Sequence, residues 1–192
     1  MRIIAGKWGG RQLAAFRAPN VRPTTDRVRE AVFSAVHAAL LKREEDFEGL
    51  HVADLFAGTG ALGFEALSRG AGRLTLVESS RRAAAVIRKN IESLAAGEQA
   101  RLVESDVLGW LAAPGEPESA CGLVFADPPY GLGKDAEILD LIARSAKVAP
   151  GALVIIERSA RNPAPETPPG LELTRSRSYG DTAVDFYEKD TQ

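Results

Sequence analysis

Apolar positions recur every four residues at Val28, Val32, Val36 and Leu40, with Phe33 beside them, and that spacing predicts an amphipathic helix over TTDRVREAVFSAVHAALLK, 24–42. Thr24 or Thr25, just ahead of the first periodic position, offers the hydroxyl that caps it. From Leu50 the pattern changes to short apolar runs that read as strands: HVADLF (51–56), RLTLVE (73–78), ARLVES (100–105), GLVFAD (122–127) and ALVIIE (152–157). Helical patterns fill the intervals at 60–68, 80–94, 106–112 and 134–145. Such alternation predicts an α/β chain with a mostly parallel sheet covered on both faces. A Pro-rich loop, RNPAPETPPG (161–170), leads to two more strands, LELTRSRSY (171–179) and AVDFYEK (183–189), placed to pair antiparallel at a sheet edge. At the other end, RIIAGKWGGRQLAAF (2–16) predicts a β-hairpin turning at Gly9-Gly10.

Composition changes this picture little. The 192 residues suit a single domain, 45% hydrophobic and 26% charged, and no apolar run approaches the ~20 residues that span a bilayer. The opening MRIIAGKWGG lacks a signal peptide's apolar core, and the one cysteine, Cys121, rules out an internal disulfide. A cytoplasmic protein, with no membrane association, is the expectation. Charge adds more. Residues 1–29 hold seven Arg and Lys against one acid, Asp26, while the whole chain carries a net charge of −2. A basic arm over 1–23 on an acidic body suits phosphates, although a solvated Arg-rich face has the same composition.

DLFAGTGALGFEAL (54–67) runs from a strand end into a helix, and Gly58 to Gly63 matches G-x-G-x-x-G. Glu78 follows Gly60 by 18 residues, where a carboxylate accepts hydrogen bonds from ribose hydroxyls. A dinucleotide would set its pyrophosphate here, but Asp54 beside the loop would repel it. An acid there suits a cationic ligand, and S-adenosylmethionine carries a sulfonium and an ammonium. Asp106, after the third strand, is placed for the adenine amine. Asp54, Phe56, Gly58, Gly60, Glu78 and Asp106 are therefore the candidate cofactor residues, with no metal ligands among the candidates.

The fourth strand ends in VFADPPYG (124–131), where two prolines forbid further ladder bonds. Asp127 and the carbonyl of Pro128 are placed to accept both N–H groups of an exocyclic amine, drawing its lone pair out of the ring and aiming it at a methyl group. Tyr130 offers a stacking face for a base taken out of its helix. Asp127, Pro128 and Tyr130 are the candidate catalytic residues. An ordinary strand-ending turn would also accommodate Asp-Pro-Pro. His37, His51, Cys121 and Trp110 read as structural, and Trp8 lies on the basic hairpin.

RIIAGKWGGRQL, RPTTDRVREAVFSAV, DLFAGTGALGFEALSRGA and FADPPY together resemble the RsmD family, bacterial 16S ribosomal RNA guanine-N2 methyltransferases. The resemblance covers nearly the whole chain, RPTTDRVRE is its most specific part, and SYGDTAVDFYEK matches the closing hairpin. It implies a Rossmann-like class I methyltransferase fold with seven strands, an antiparallel C-terminal hairpin strand, and S-adenosylmethionine as methyl donor. It further implies a target in the small ribosomal subunit, and the expectation is a monomer acting on 16S rRNA within an assembling subunit. Arg22, Thr24 and Arg27 then lie beside the active site, and with Arg11 they form the candidate nucleic-acid contacts. Gly9 departs from the family pattern, which often has a basic residue there. An adenine-N6 methyltransferase on DNA or RNA shares the Asp-Pro-Pro-Tyr logic. An NAD-dependent oxidoreductase shares only the glycine loop, and a non-catalytic RNA-binding module would not need the rest of the site.

Overall fold

The computed structural model describes residues 1–15, 26–116, 119–129 and 132–191. In chain order the elements are α1 (Asp26–Leu41), β1 (His51–Leu55), α2 (Ala61–Ser68), β2 (Arg73–Val77), α3 (Arg81–Ser93), β3 (Ala100–Val103), α4 (Val107–Ala112), β4 (Cys121–Ala126), α5 (Asp135–Arg144), β5 (Val148–Ser159), β6 (Leu171–Tyr179) and β7 (Thr182–Lys189). The seven strands form one sheet in the order β3-β2-β1-β4-β5-β7-β6. Strands β1 to β5 pair in parallel. β7 pairs antiparallel with both β5 and β6. The direction of strand succession reverses between β1 and β4, which opens a crevice at their C-terminal ends.

Apolar side chains divide between the two faces of the sheet. On one face, Val52, Leu123, Phe125 and Ile155 pack with Phe33 and Val36 of α1, Phe64 and Leu67 of α2, and Ile87 of α3. Phe33 and Phe125 are 5.3 Å apart between ring centroids, so α1 seats directly on β4. On the other, Leu55, Val77, Val124 and Ile156 pack with Val107 and Leu111 of α4 and Ile138, Leu139 and Ile142 of α5. Burial on both sides explains why these strands read as continuous apolar runs instead of alternating ones.

The N-terminal segment forms the expected hairpin over a short span, with a broader turn than Gly9-Gly10 alone. Arg2 pairs with Gln12 and Ile3 bonds Arg11 and Gly10, while residues 4–8 turn aside to bind the end of α2. The Glu65 carboxylate accepts the N–H groups of Ile4 (2.6 Å) and Ala5 (3.1 Å), and Ser68 accepts those of Lys7 (carbonyl, 2.7 Å) and Trp8 (hydroxyl, 2.9 Å). Gly6, at φ +81°, is what lets the chain pass, since a β carbon there would sit 1.8 Å from the Ser68 carbonyl oxygen. Trp8 is buried in the core, with the Lys7 ammonium 4.3 Å from its ring centre. Its side chain is packing material, not part of an exposed basic face.

No helix among the described residues is long and apolar enough to cross a membrane. Likewise, no group of three or more His, Cys, Asp or Glu among them is placed to hold a metal ion. The expected caps Thr24 and Thr25 lie outside the described residues.

Candidate active site

Reading along the C-terminal edge of the sheet, in the strand order β3-β2-β1-β4-β5, stand the acids Asp106, Glu78, Asp54, Asp127 and Glu157, with Glu104 also after β3 and paired to Arg88. The first four are the predicted acids. Asp106 lies three residues past β3 as the N-cap of α4, its Oδ2 accepting the Gly109 N–H at 2.9 Å, and it is exposed. That bond engages one oxygen and leaves the rest of the carboxylate directed by the cap.

Glu78 stands immediately after β2. Its Oε2 accepts the N–H of Gly58 at 2.9 Å and its Oε1 that of Ser80 at 2.7 Å. The glycine loop and the start of α3 are thereby tied to a single carboxylate, which retains further lone pairs. Asp54, 2% exposed, accepts the N–H of Gly63 at 2.9 Å. Burial, reinforced by the Glu78 charge and only partly offset by that hydrogen bond, pushes Asp54 up to about 7. A buried acid at this point is stabilised by a cation placed against it.

The three glycines of the loop do different things. A β carbon on Gly58, at φ +57°, would meet only the Phe56 carbonyl oxygen at 3.9 Å, so this glycine leaves open space. At Gly60, φ +78°, the same atom would lie 2.5 Å from Phe64 Cε2 and 2.7 Å from Leu76 Cδ2. At Gly63 it would lie 2.6 Å from Leu74 Cδ1. Gly60 and Gly63 therefore answer to core packing, and only Gly58 to free approach from the crevice. Phe56 adopts φ +58°, an outlier for a bulky residue, at the tip of β1.

Asp127 follows β4, its N–H 3.4 Å from the Leu55 carbonyl oxygen, with Pro128 buried and Pro129 exposed behind it. Desolvation raises its carboxyl well above the usual carboxylate range, and the charges of Glu157 and Asp54 add to the rise. Tyr130, Arg22 and Thr24 lie outside the described residues. Arg11 and Arg27 are both exposed, Arg11 donating to the Ser93 carbonyl at the end of α3 and Arg27 standing in the first turn of α1.

Two residues that the sequence did not single out join the arm to this site. Asn90, fully buried on α3, accepts the Ala14 N–H at 2.8 Å and donates to the carbonyls of Ala14 (3.2 Å) and Thr59 (2.9 Å). Glu65 docks the preceding turn. The arm thus leaves the described structure at Ala15 beside the glycine loop. A separate cleft of about 710 Å³, lined by His51, Arg73, Arg101, Trp110 and Lys147, opens at the opposite, N-terminal ends of the strands. His51 there is held between the Ser119 carbonyl (2.8 Å) and the Thr75 hydroxyl (2.9 Å), as a structural histidine is.

The chain has relatives among known proteins in both sequence and fold. The family model described as conserved hypothetical protein 95 matches residues 1–188. The Escherichia coli protein named ribosomal RNA small subunit methyltransferase D is 37% identical over 192 residues, covering 100% of this chain and 91% of that one. The Haemophilus influenzae protein of the same name is 32% identical over 189 residues, covering 98% and 93%. Among solved structures, Escherichia coli yhhF, provisionally named a methyltransferase, superposes with a TM-score of 0.86 at 35% identity, covering 100% and 99%.

Proposed function

This chain belongs to the RsmD family, matched by the conserved hypothetical protein 95 model and by full-length relatives named small-subunit ribosomal RNA methyltransferases, and from that premise we propose that it methylates the N2 amine of a guanine in 16S rRNA. It is a methyltransferase of the Rossmann-like class I fold, and S-adenosylmethionine is its methyl donor. The donor's chemistry is to present an electrophilic sulfonium methyl. The residues present fit it. Asp54 is a buried acid that favours a cation, Gly58 leaves the loop open to close approach, and Glu78 has lone pairs beyond the two N–H groups it binds.

The observation that carries the reading is the placement of Asp127 next to Asp54 along the strand ends. β4 pairs directly with β1, with Leu55 opposite Ala126, so the cofactor acid and the amine acceptor are one strand apart. Asp127 and the Pro128 carbonyl hold the two amine protons and thereby localise the nitrogen lone pair. As the N–C bond forms and the S–C bond breaks, the amine becomes cationic and must lose a proton. A carboxyl raised above the usual range is a stronger base for that proton than an ordinary aspartate. Tyr130 stacks on the base, and Arg11, Arg22, Thr24 and Arg27 meet phosphate, with specificity taken from the shape of a small-subunit assembly particle.

Asp127→Ala tests the division of roles. Methyl transfer to small-subunit rRNA should be lost while S-adenosylmethionine affinity stays within about threefold of the wild type. Loss of both together would remove Asp127 from the role of amine acceptor.

A further inference from the structure

The fifth acid on the edge, Glu157, has no part in the reaction as described above. It is buried, 7% exposed, on β5. β4 and β5 pair in parallel and in step from Leu123 with Leu153 to Ala126 with Ile156. One step further sets Asp127 beside Glu157, and in-register neighbours on parallel strands project to the same face. The electrostatics agree with that register: of the two charges that raise the Asp127 carboxyl, Glu157 has the larger effect. On its other side β7 offers Val184 in register, which is apolar. Glu157 has a further interaction within the chain, and a carboxylate with about four lone-pair sites retains acceptors beyond it.

A second acceptor next to the amine acceptor distinguishes nucleobases by what flanks their amines. In guanine the N2 amine adjoins N1–H, a donor. The N6 amine of adenine adjoins N1 and the N4 amine of cytosine adjoins N3, both lone-pair acceptors. A carboxylate at this position makes a charge-assisted hydrogen bond to guanine and faces a lone pair in the other two. We propose that Glu157 accepts the N1–H of the target guanine and so sets the base specificity of the Asp127 site. The proposal rests on the guanine-N2 reading and deepens it. Selectivity arises chiefly by rejection, because a base without that donor sets a ring lone pair against the carboxylate.

The test uses RNA in which the guanine methylated by the wild-type protein is replaced by 2-aminopurine. That base keeps the 2-amine but has an acceptor at N1. For the wild type, kcat/KM should favour guanine by about 100-fold or more; a preference below about tenfold overturns the proposal, and this arm needs no variant. Glu157→Gln supplies an N–H that donates to N1 of 2-aminopurine, so the guanine preference should fall by at least about tenfold with cofactor affinity unchanged. A wild-type ratio in the variant overturns the proposal, since loss of the guanine O6 is common to both proteins. Failure of the underlying reading looks different. Label in N6-methyladenosine defeats guanine-N2 methylation itself, whereas N2-methylguanosine formed with a flat ratio defeats only the role of Glu157.

Discussion

Replacing Asp54 with Asn removes a charge that the fold holds at a cost in order to attract another. Asp54 has an ordinary value of 3.8 and is raised to about 7 by burial. Between those values the folded protein binds the proton that the unfolded chain has released. Stability therefore falls as pH rises through this window, and is constant in this component below about 4 and above about 7. A rise of about three units, at roughly 1.4 kcal/mol each, makes the ionised carboxylate unfavourable by about 4 kcal/mol at pH 8. Asparagine keeps an oxygen for the Gly63 N–H and has no such pH dependence. Denaturant unfolding without cofactor, at intervals from pH 5 to pH 8.5, should show the wild type losing about 2–3 kcal/mol relative to Asp54→Asn, the part of the window above pH 5. Asp127 is raised as well, chiefly by its own burial and by Glu157, and that larger part is common to both proteins and cancels; the smaller part owed to the Asp54 charge is lost with it and adds to the difference in the same direction. A cationic ligand reverses the balance: S-adenosylmethionine affinity should climb with pH up to about 7 in the wild type and stay flat and weak in the variant. Parallel stability curves for the two proteins would refute the reasoning, because Asp54 would then be no costlier to ionise when folded.

The glycine loop gives a paired prediction. Gly58→Ala should cost about 1–2 kcal/mol for its positive φ and weaken cofactor binding, whereas Gly60→Ala, with its β carbon driven against Phe64, should lower the Tm before binding can be measured. Equal loss of stability in both would contradict the division. Asn90→Ala leaves the Ala14 and Thr59 backbone groups without partners and should cost about 2–4 kcal/mol, with KM for RNA rising more than KM for the cofactor. An unchanged RNA KM would detach the arm from substrate binding. Arg11→Ala should weaken RNA binding and reduce the slope of log K against log salt by about one, as loss of a phosphate contact does.

Element positions were legible in the sequence to within a residue or two where a cap or turn residue marks them. Ser80 caps α3 and Asp106 caps α4 as side-chain acceptors, and Gly60 closes the turn before α2. The row of acids on the sheet edge was legible too, because each follows an apolar strand and alternation implies parallel order. What each glycine is for was not legible, since Phe64, Leu74 and Leu76 become their neighbours only after β2 pairs with β1. The course of the N-terminal hairpin's turn was not legible for a similar reason. The partners of residues 4 and 5 lie on Glu65, about sixty positions away, and no local pattern announces them. Asn90 and Gly6 escaped notice on the same ground, and Glu157 gained meaning only through its register with β4.

Methyl groups are best followed to their atom. Small-subunit rRNA incubated with the protein and isotopically labelled S-adenosylmethionine, digested to nucleosides and resolved by mass spectrometry, should carry the label as N2-methylguanosine. Label in N6-methyladenosine, or its absence from every nucleoside, would contradict the assignment.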